Sequence, residues 1–279
     1  IALILYSVMM PGLDLRALFA AGLFPGLLAG ASLLVPAYFL ARRNGWETVK
    51  SSDEALPSVR SSFVKAIPAL LAPVIILGGL RSGLFTPTEA AVVAVTYGLV
   101  IGAFIYRELT WSSLIDMLNE AVKISGVVLI IIALAGIFAW AGTTLGTFTR
   151  LADTILAISD NSLMLLLLVM LLVLLAGMLL DAISIYLILT PILVPLIQYF
   201  EWNPVWFGIL LAMNIAIGQF TPPVAINLMV TTKVANIRLE ETFGWAMLFM
   251  VTMFSALLLV LFFPQIALWL PEYLGYSTT

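Results

Sequence analysis

The chain has 279 residues, of which 63% are hydrophobic and only 10% are charged, and its formal net charge is −3. Soluble domains contain about half apolar and about a quarter charged residues, so this composition excludes a soluble enzyme, a nucleic-acid-binding protein and a disordered chain. The absence of cysteine and histidine excludes disulfides and thiolate metal sites and removes the commonest metal ligand and proton shuttle. We therefore expect an all-α, polytopic membrane protein.

The apolar runs set the layout of the protein, because about twenty residues are needed to span a bilayer. The fifth and sixth of the seven runs are too long for one straight helix, so each must bend or break. The chain also begins inside an apolar stretch, at Ile1, without a methionine or a signal-peptide pattern, and we expect it to be the C-terminal part of a longer protein. The runs cover residues 17–40, 62–80, 87–106, 124–144, 162–200, 204–236 and 243–270.

Lysine and arginine predict the orientation, since short cytoplasmic loops are enriched in both. If the loop after the first run is cytoplasmic and the fifth run returns to the side from which it entered, nine of the twelve basic residues lie inside. Arg16, Arg81 and Arg150 then lie outside, and the C-terminus is periplasmic or extracellular. The nine inside residues are Arg42, Arg43, Lys50, Arg60, Lys65, Arg107, Lys123, Lys233 and Arg238.

Two segments have the pattern of surface helices. Residues 148–158 are one candidate, on the outer face of the membrane. The other is an amphipathic helix on the inner face, because four apolar residues share one side at helical spacing. These four are Leu114, Met117, Leu118 and Ala121.

Asp181 is the only charged residue between Asp160 and Glu201, in the middle of the fifth apolar run. A charged side chain near the middle of a bilayer costs about 2.5–3.5 kcal/mol on insertion scales, and no lysine or arginine flanks Asp181 as a cytoplasmic loop would require. We therefore predict that the run forms a re-entrant helical hairpin whose tip lies inside the membrane. Residues 162–180 form one leg, and residues 183–200 return.

The tip of such a hairpin offers free backbone groups at membrane depth. The first leg ends with unpaired carbonyls, which suit a cation, and the second begins with unpaired N–H groups, which suit an anion. Pro191 and Pro195 weaken the second leg as a straight helix. The alternative is that Asp181 only caps the N-terminus of the second leg, and the two roles are compatible.

Tandem prolines interrupt the sixth run. Pro222 and Pro223 lack backbone N–H groups and disfavour helix just before them, while Thr221 is a suitable N-cap with Pro222 at the first helical position. We therefore predict a broken helix that is unwound over residues 218–221. The alternative is a simple proline kink with interhelical hydrogen bonds. Polar side chains surround the break at Asn214, Gln219, Thr221 and Asn227.

Three sequence blocks follow one another in a specific order along nearly the whole chain. The first is Gly-Leu-Phe-Thr-Pro-Thr-Glu-Ala-Ala at 83–91, followed by Tyr-Arg-Glu-Leu at 106–109. The second is Gly-Met-Leu-Leu-Asp, ending at Asp181, followed by Ile-Leu-Thr-Pro-Ile-Leu-Val-Pro at 188–195. The third is Thr-Pro-Pro-Val-Ala-Ile-Asn-Leu at 221–228. In these blocks the chain resembles the large membrane subunit of tripartite ATP-independent periplasmic (TRAP) transporters.

The resemblance implies an elevator-type transporter built from inverted repeats, of which this chain holds the second. The hairpin at 162–200 and the broken helix at 204–236 would belong to its transport domain. The predicted divisions are the end of the first repeat's broken helix (1–16), a scaffold helix and cytoplasmic loop (17–61), scaffold helices with an amphipathic arm (62–123), the transport domain (124–236) and a C-terminal scaffold helix (237–279).

The resemblance further implies a sodium-coupled importer in the bacterial inner membrane rather than an enzyme, with sodium as coupling ion and no other cofactor. A periplasmic binding protein would deliver an organic anion, such as a sialic acid or a C4-dicarboxylate. A small four-helix membrane subunit would complete the scaffold, and no nucleic acid is expected as a partner. Ser184 makes the hairpin tip more polar than the family's common versions, which bears on substrate choice.

The site residues that the resemblance implies lie at the hairpin tip and at the break. Sodium is a hard cation that requires oxygen ligands, which unwound backbone, threonine and aspartate supply. An anionic substrate would be repelled by Asp181 unless sodium or a substrate hydroxyl lies between them, and this is a physical reason to expect coupling. The predicted sodium ligands are Gly177, Leu180, Asp181, Gly218, Gln219 and Thr221, and the predicted substrate contacts are Asp181, Ser184, Asn214, Pro222 and Asn227.

Two other functions stay open at this level. Broken helices also build channel filters, so a channel or another ion-coupled transporter is an alternative, although the sequence has no ring-forming filter motif. An intramembrane aspartic protease needs two carboxylates that share a site. Asp181 is alone in mid-membrane, so a second carboxylate would have to come from outside this chain.

Overall fold

The computed structural model describes residues 2–10, 12–45, 58–82, 84–147, 150, 153–154, 161–222 and 226–278. Over these residues the chain forms α-helices and one π-helical segment (Ile101–Ile105), and it forms no β-strand. Five of the described helical segments are long and apolar enough to cross a membrane, which confirms the all-α, polytopic membrane class. The helices are α1 (Ala2–Met9), α2 (Leu15–Ala21), α3 (Leu23–Asn44), α4 (Val59–Arg81), α5 (Pro87–Val100), α6 (Trp111–Thr144), α7 (Ser162–Gly177), α8 (Ala182–Tyr199), α9 (Pro204–Phe220), α10 (Ile226–Ala235), α11 (Leu239–Phe262) and α12 (Gln265–Tyr273).

The chain divides into two compact units. The larger unit contains Ile1–Trp46 and Val128–Thr279, and the smaller unit contains Glu47–Val127, so the boundary falls within α6. Helices α3 and α11 belong to the same unit as α7, α8 and α9. The division of the chain into scaffold and transport domains stays a prediction.

Helix α9 is the centre of the larger unit, because it is buried on nearly every side. Residues 205–211 are all buried, as expected for a helix that is apolar all round. Asn203 caps the N-terminus of α9 by accepting the N–H of Trp206 at 3.0 Å, and Pro204 occupies the first helical position. The indole N–H of Trp206 donates to the carbonyl of Val260 at 2.9 Å, which ties α9 to α11.

The last apolar run divides at Pro264, opposite that same carbonyl of Val260. Pro264 has no N–H to donate to Val260 four residues earlier, and Trp206 supplies the missing donor from α9. Helix α11 therefore ends at Phe262, and α12 begins at Gln265. The prediction of one span over residues 243–270 is wrong in this respect.

The predicted amphipathic helix is part of a longer element. Helix α6 is continuous over 34 residues and extends about 50 Å at 1.5 Å per residue, which exceeds the roughly 30 Å hydrocarbon core of a bilayer. No glycine or proline interrupts residues 111–125, so a change of polarity along the sequence does not break the backbone. The four predicted apolar residues do share one face, because all of them line one groove against α5: Leu114, Met117, Leu118 and Ala121.

The smaller unit pairs α4 with α5. A capping box starts α5, since Thr86 accepts the N–H of Glu89 at 3.3 Å while Glu89 accepts the N–H of Thr86 at 2.7 Å. Between the two helices, the hydroxyl of Tyr97 donates to the carbonyl of Pro68 at 2.8 Å. The second predicted surface helix, at 148–158, lies largely outside the described residues.

Candidate functional site

Helices α7 and α8 form the two legs of the predicted hairpin. Asn161 caps the first leg by accepting the N–H groups of Leu163 and Met164 at 3.0 and 3.1 Å. The second leg runs as one helix through Pro191 and Pro195, so these prolines do not divide it. A short turn over residues 178–181 joins the legs, and the placement of this turn inside a membrane stays a prediction.

Asp181 caps the second leg, as the alternative interpretation of this residue predicted. Its Oδ2 accepts the N–H groups of Ile183 and Ser184 at 2.9 and 3.2 Å, and its Oδ1 accepts the hydroxyl of Ser184 at 2.5 Å. A carboxylate has about four acceptor positions, so one position stays open after these three bonds. The carboxylate is also exposed, so the capping role leaves room for a ligand.

The first leg ends with carbonyl groups that have no helical partner. Among the described residues, no N–H or hydroxyl group donates to the carbonyls of Gly177 and Leu180. Such orphan carbonyls are normal at a helix C-terminus, but in a membrane each needs water, a side chain or a ligand. The tip therefore has the capacity to bind a cation through backbone oxygens.

Helix α9 ends later than the sequence predicted. It continues through Gly218 and Gln219 to Phe220, and only Thr221 is extended, with φ −91° and ψ 128°. The N–H of Thr221 donates to the carbonyl of Gly218 at 3.0 Å, and its hydroxyl donates to Ile217 at 2.6 Å. Thr221 thus closes α9, and the unwinding predicted over 218–221 is wrong. Its predicted role as N-cap of the next helix depends on residues 223–225, which lie outside the described residues.

Helix α9 ends at Phe220 because of where the two prolines, which lack backbone N–H groups, stand in the sequence. Residues up to Thr221 keep their own N–H groups, so α9 stays intact until the residue before Pro222 is forced out of the helical region. The carbonyl of Gln219 is different, because a helical donor would have to be Pro222 or Pro223, and both lack an N–H. The tandem prolines therefore leave the Gln219 carbonyl without a helical partner. Helix α10 begins at Ile226, and residues 223–225 lie outside the described residues.

Two glycines bring the hairpin and the break together. A Cβ on Gly218 would lie 2.7 Å from the Cα of Gly177, and a Cβ on Gly177 would lie 3.1 Å from the Cα of Gly218. The end of α7 thus touches the end of α9 backbone to backbone, at a distance that only two glycines permit. The predicted sodium ligands therefore come from two helix ends that meet.

The predicted substrate contacts do not all lie together. Asn214 is fully buried, and its Nδ2 donates to the carbonyl of Met170 on α7 at 2.5 Å. Asn227 is exposed on the far side of the break, with its Nδ2 3.5 Å from the Oε1 of Gln219. Pro222, which lies between these two residues in the sequence, is half-buried. The hydroxyl of Ser184 donates to Asp181 at the hairpin tip. Asn214 accordingly makes the interhelical hydrogen bond of the alternative interpretation, away from the tip.

Sequence reasoning missed two buried hydroxyls on the second leg. Tyr186 and Thr190 lie four residues apart on α8, and neither hydroxyl has a partner among the described residues. Their spacing, two polar groups on one face of an apolar leg, was the available signal. Within the described residues no group of three or more His, Cys, Asp or Glu side chains could hold a metal ion, so backbone oxygens and single side chains are the ligands at hand.

These features define a multi-pass α-helical membrane protein in which the first leg of the hairpin and α9 touch near their C-terminal ends. Residues 1–266 match the sequence family described as "Tripartite ATP-independent periplasmic transporter, DctM component". The chain belongs to this family, and the resemblance predicted from the sequence is confirmed.

The chain is similar to several large permeases of known name. It is 38% identical to the sialic acid TRAP transporter large permease protein SiaM of Vibrio cholerae, over 99% of this chain and 64% of that protein. It is 37% identical to the C4-dicarboxylate TRAP transporter large permease protein DctM of Pseudomonas aeruginosa, over 93% of this chain and 60% of that protein. It is 36% identical to the isethionate TRAP transporter permease protein DctMQ of Oleidesulfovibrio alaskensis, over 89% of this chain and 39% of that protein. The chain thus spans less than two thirds of the length of these relatives.

Proposed function

We propose that this chain is part of the large membrane subunit of a sodium-coupled secondary importer of organic anions in the bacterial inner membrane. The contact between Gly177 and Gly218 is the observation that carries the proposal, because it joins the hairpin tip to the helix break. In secondary transporters, substrate and coupling ions bind where discontinuous helices expose their backbone groups. The named relatives are all transporter permeases.

Sodium binds, in this proposal, between the two helix ends. The carbonyls of Gly177, Leu180 and Gln219 have no helical donor, and carbonyl oxygens are suitable ligands for a hard cation. The carbonyl of Gly218 and the hydroxyl oxygen of Thr221 keep lone pairs beside the bonds that they already make. The open position on the Asp181 carboxylate supplies negative charge.

The substrate is an organic anion at the same meeting point. The relatives are named for sialic acid, a C4-dicarboxylate and isethionate, which are all organic anions. Ser184, Pro222 and Asn227 are the proposed contacts from the tip and from the far side of the break. Asp181 would repel such a substrate in the absence of a bound cation, so sodium binds first and makes the site attractive to the anion. Asn214 contributes through the contact between α7 and α9.

The remaining features of the proposal concern the whole transporter. A periplasmic binding protein delivers the substrate, and a small four-helix membrane subunit supports the large one. The hairpin is re-entrant, the unit that contains it moves as an elevator, and the C-terminus is periplasmic. Their support is the family membership and the distribution of basic residues.

Uptake by proteoliposomes tests the proposal. The full transporter is reconstituted, and uptake of a labelled organic anion is measured with its binding protein outside, under an inward sodium gradient or an equal potassium gradient. We expect accumulation only with sodium and only with the binding protein. Equal uptake in potassium would contradict sodium coupling, and flux far above carrier turnover would indicate a channel.

A further inference from the structure

A long groove in the larger unit lies apart from the contact between the two glycines. It has a volume of about 580 Å³ and is lined by α3, α10 and α11, with Phe220 from the end of α9. Along α3 it extends from Gly30 to Ala37, and along α11 it extends from Thr242 to Phe249. The two helices run antiparallel along it, because Phe24, near the start of α3, packs against Trp269 of α12, which follows the end of α11.

The interior of the groove presents carbon rather than hydrogen-bonding groups. The hydroxyl of Thr231 donates to the carbonyl of Asn227 at 2.9 Å, and the hydroxyl of Thr242 donates to the carbonyl of Leu239 at 2.6 Å. Both hydroxyls thus donate their hydrogen bonds to carbonyls of their own helices, not into the groove. A polar organic anion would lose its hydration there without compensation, whereas a hydrocarbon chain loses nothing.

One end of the groove carries an excess of positive charge. Arg42 and Arg43 follow Ala37 on α3 by five and six residues, about 8 Å further along the helix axis, and Lys233 follows Thr231 on α10. The late residues of α3 and α10 and the early residues of α11 line the same end of the groove, so the three cations follow the groove's lining along their helices at that end.

These three cations are available to a ligand. They are exposed and take part in neither of the ion pairs found among the described residues. Arg238, by contrast, pairs with Glu241 at 2.7 Å. Among the residues that the structure describes at this end, Glu240 is the one other acid, and it leaves these three cations with a surplus of two positive charges.

We propose that this groove is a binding site for an anionic phospholipid. An acyl chain occupies the apolar channel, and the phosphate lies at Arg42, Arg43 and Lys233. Basic residues at the membrane surface beside a groove between helices are the arrangement that recognises anionic headgroups. Trp245, which lines the groove near this end, is a residue type enriched at the membrane interface. None of the proposed sodium ligands lines the groove, whereas Asn227, a proposed substrate contact, lies in its wall. The lipid-binding test does not depend on transport.

Lipid binding to the full transporter tests the headgroup. The transporter is purified in a mild detergent, stripped of lipid, and offered phosphatidylglycerol or phosphatidylcholine with the same acyl chains, and bound lipid is measured by native mass spectrometry. We expect phosphatidylglycerol to bind more tightly. The triple variant Arg42→Gln/Arg43→Gln/Lys233→Gln should weaken it by roughly fivefold for each charge, about a hundredfold in all.

A matched control removes the same number of charges elsewhere. The variant Arg60→Gln/Lys65→Gln/Lys123→Gln changes three exposed cations of the smaller unit, and it should keep the binding of the unmodified transporter. Equal binding of the two lipids by the unmodified protein would overturn the proposal. So would an equal loss of binding in the two triple variants.

A second pair of variants tests the acyl chain. A Cβ at Gly30 or at Gly26 meets no atom within 4 Å, so the backbone at both positions has room for a side chain to begin, but only Gly30 lines the groove. Gly30→Leu should reduce phosphatidylglycerol binding at least roughly tenfold, whereas Gly26→Leu should not. Unchanged binding in Gly30→Leu would overturn the proposal, as would inorganic phosphate that binds as tightly as the lipid.

Discussion

Asp181 combines a structural and a proposed functional role in one side chain. Three bonds from its own turn hold the carboxylate in place, and this preorganises the one acceptor position that stays open. Asparagine and aspartate cap helices about equally well. Substitutions at this residue can therefore separate the cap from the charge.

We predict that Asp181→Asn keeps the fold and weakens sodium dependence. The sodium concentration for half-maximal uptake should rise roughly fivefold or more, because a unit charge at about 4 Å from an ion contributes about 1 kcal/mol even in water. Asn161→Ala is the control, since it removes the cap of the other leg without touching a charge. It should cost about 1 kcal/mol of stability and leave the sodium dependence unchanged. A normal sodium response in Asp181→Asn would remove this residue from the proposed site.

Asn214 is the residue whose predicted role the structure changes most. It is fully buried, and one side of its amide is bonded to Met170 while its Oδ1 has no partner among the described residues. We predict that Asn214→Leu lowers stability only slightly, since hydrogen bonds between membrane helices contribute about 0.6 kcal/mol on average. The substrate concentration for half-maximal uptake should not change. A rise in that concentration without loss of thermal stability would instead identify Asn214 as a substrate ligand.

At the scale of elements, the site depends on how closely α7 and α9 approach. The two helix ends can touch only because neither Gly177 nor Gly218 has a side chain. Most of this arrangement follows from local chemistry: Asp181 predicts the turn, and the tandem prolines predict the break. That Gly177 meets Gly218, and not Gly208 of the same helix α9, depends on packing between distant segments, so no local pattern predicts it.

We predict that Gly218→Ala abolishes or strongly reduces uptake. The added methyl group would lie 2.7 Å from the Cα of Gly177, so the helix ends must separate, and overpacking of this kind costs typically 1–3 kcal/mol. Gly244→Ala in α11 is the control, because a Cβ there meets nothing within 4 Å. It should retain full uptake and equal or higher thermal stability. Full uptake by Gly218→Ala would show that the close approach is not needed.

Other boundaries were not readable from the sequence for a physical reason. The apolar spacing at residues 114–121 suggested a surface helix separate from the span at 124–144, but α6 is continuous through both, with no glycine or proline between residues 111 and 125. Near Val260, in contrast, a helix ends where the hydropathy does not change. Pro264 ended a helix inside a uniformly apolar run, and the partner that compensates, Trp206, lies 54 residues away in the sequence.

At the scale of the whole molecule, the orientation is open to a direct test because the chain contains no cysteine. We predict that Thr278→Cys in the full transporter reacts with a membrane-impermeant maleimide from the periplasmic side of intact cells with permeabilised outer membranes. Glu240→Cys should react only after the inner membrane is opened, since it lies beside the predicted inside residues Lys233 and Arg238. The reverse pattern would invert the topology and place the headgroup of the proposed lipid in the other leaflet.

The tandem prolines also have a consequence for the choice between protons and sodium as the coupling ion. Backbone carbonyls such as that of Gln219 are too weakly basic to hold a proton at physiological pH, whereas carboxylate and imidazole ligands gain and lose protons. This chain has no histidine, and the oxygens at the two helix ends belong mainly to peptide groups. Because peptide oxygens do not titrate and Asp181 is the one carboxylate among the proposed ligands, we expect the proposed site to prefer a metal cation over a proton.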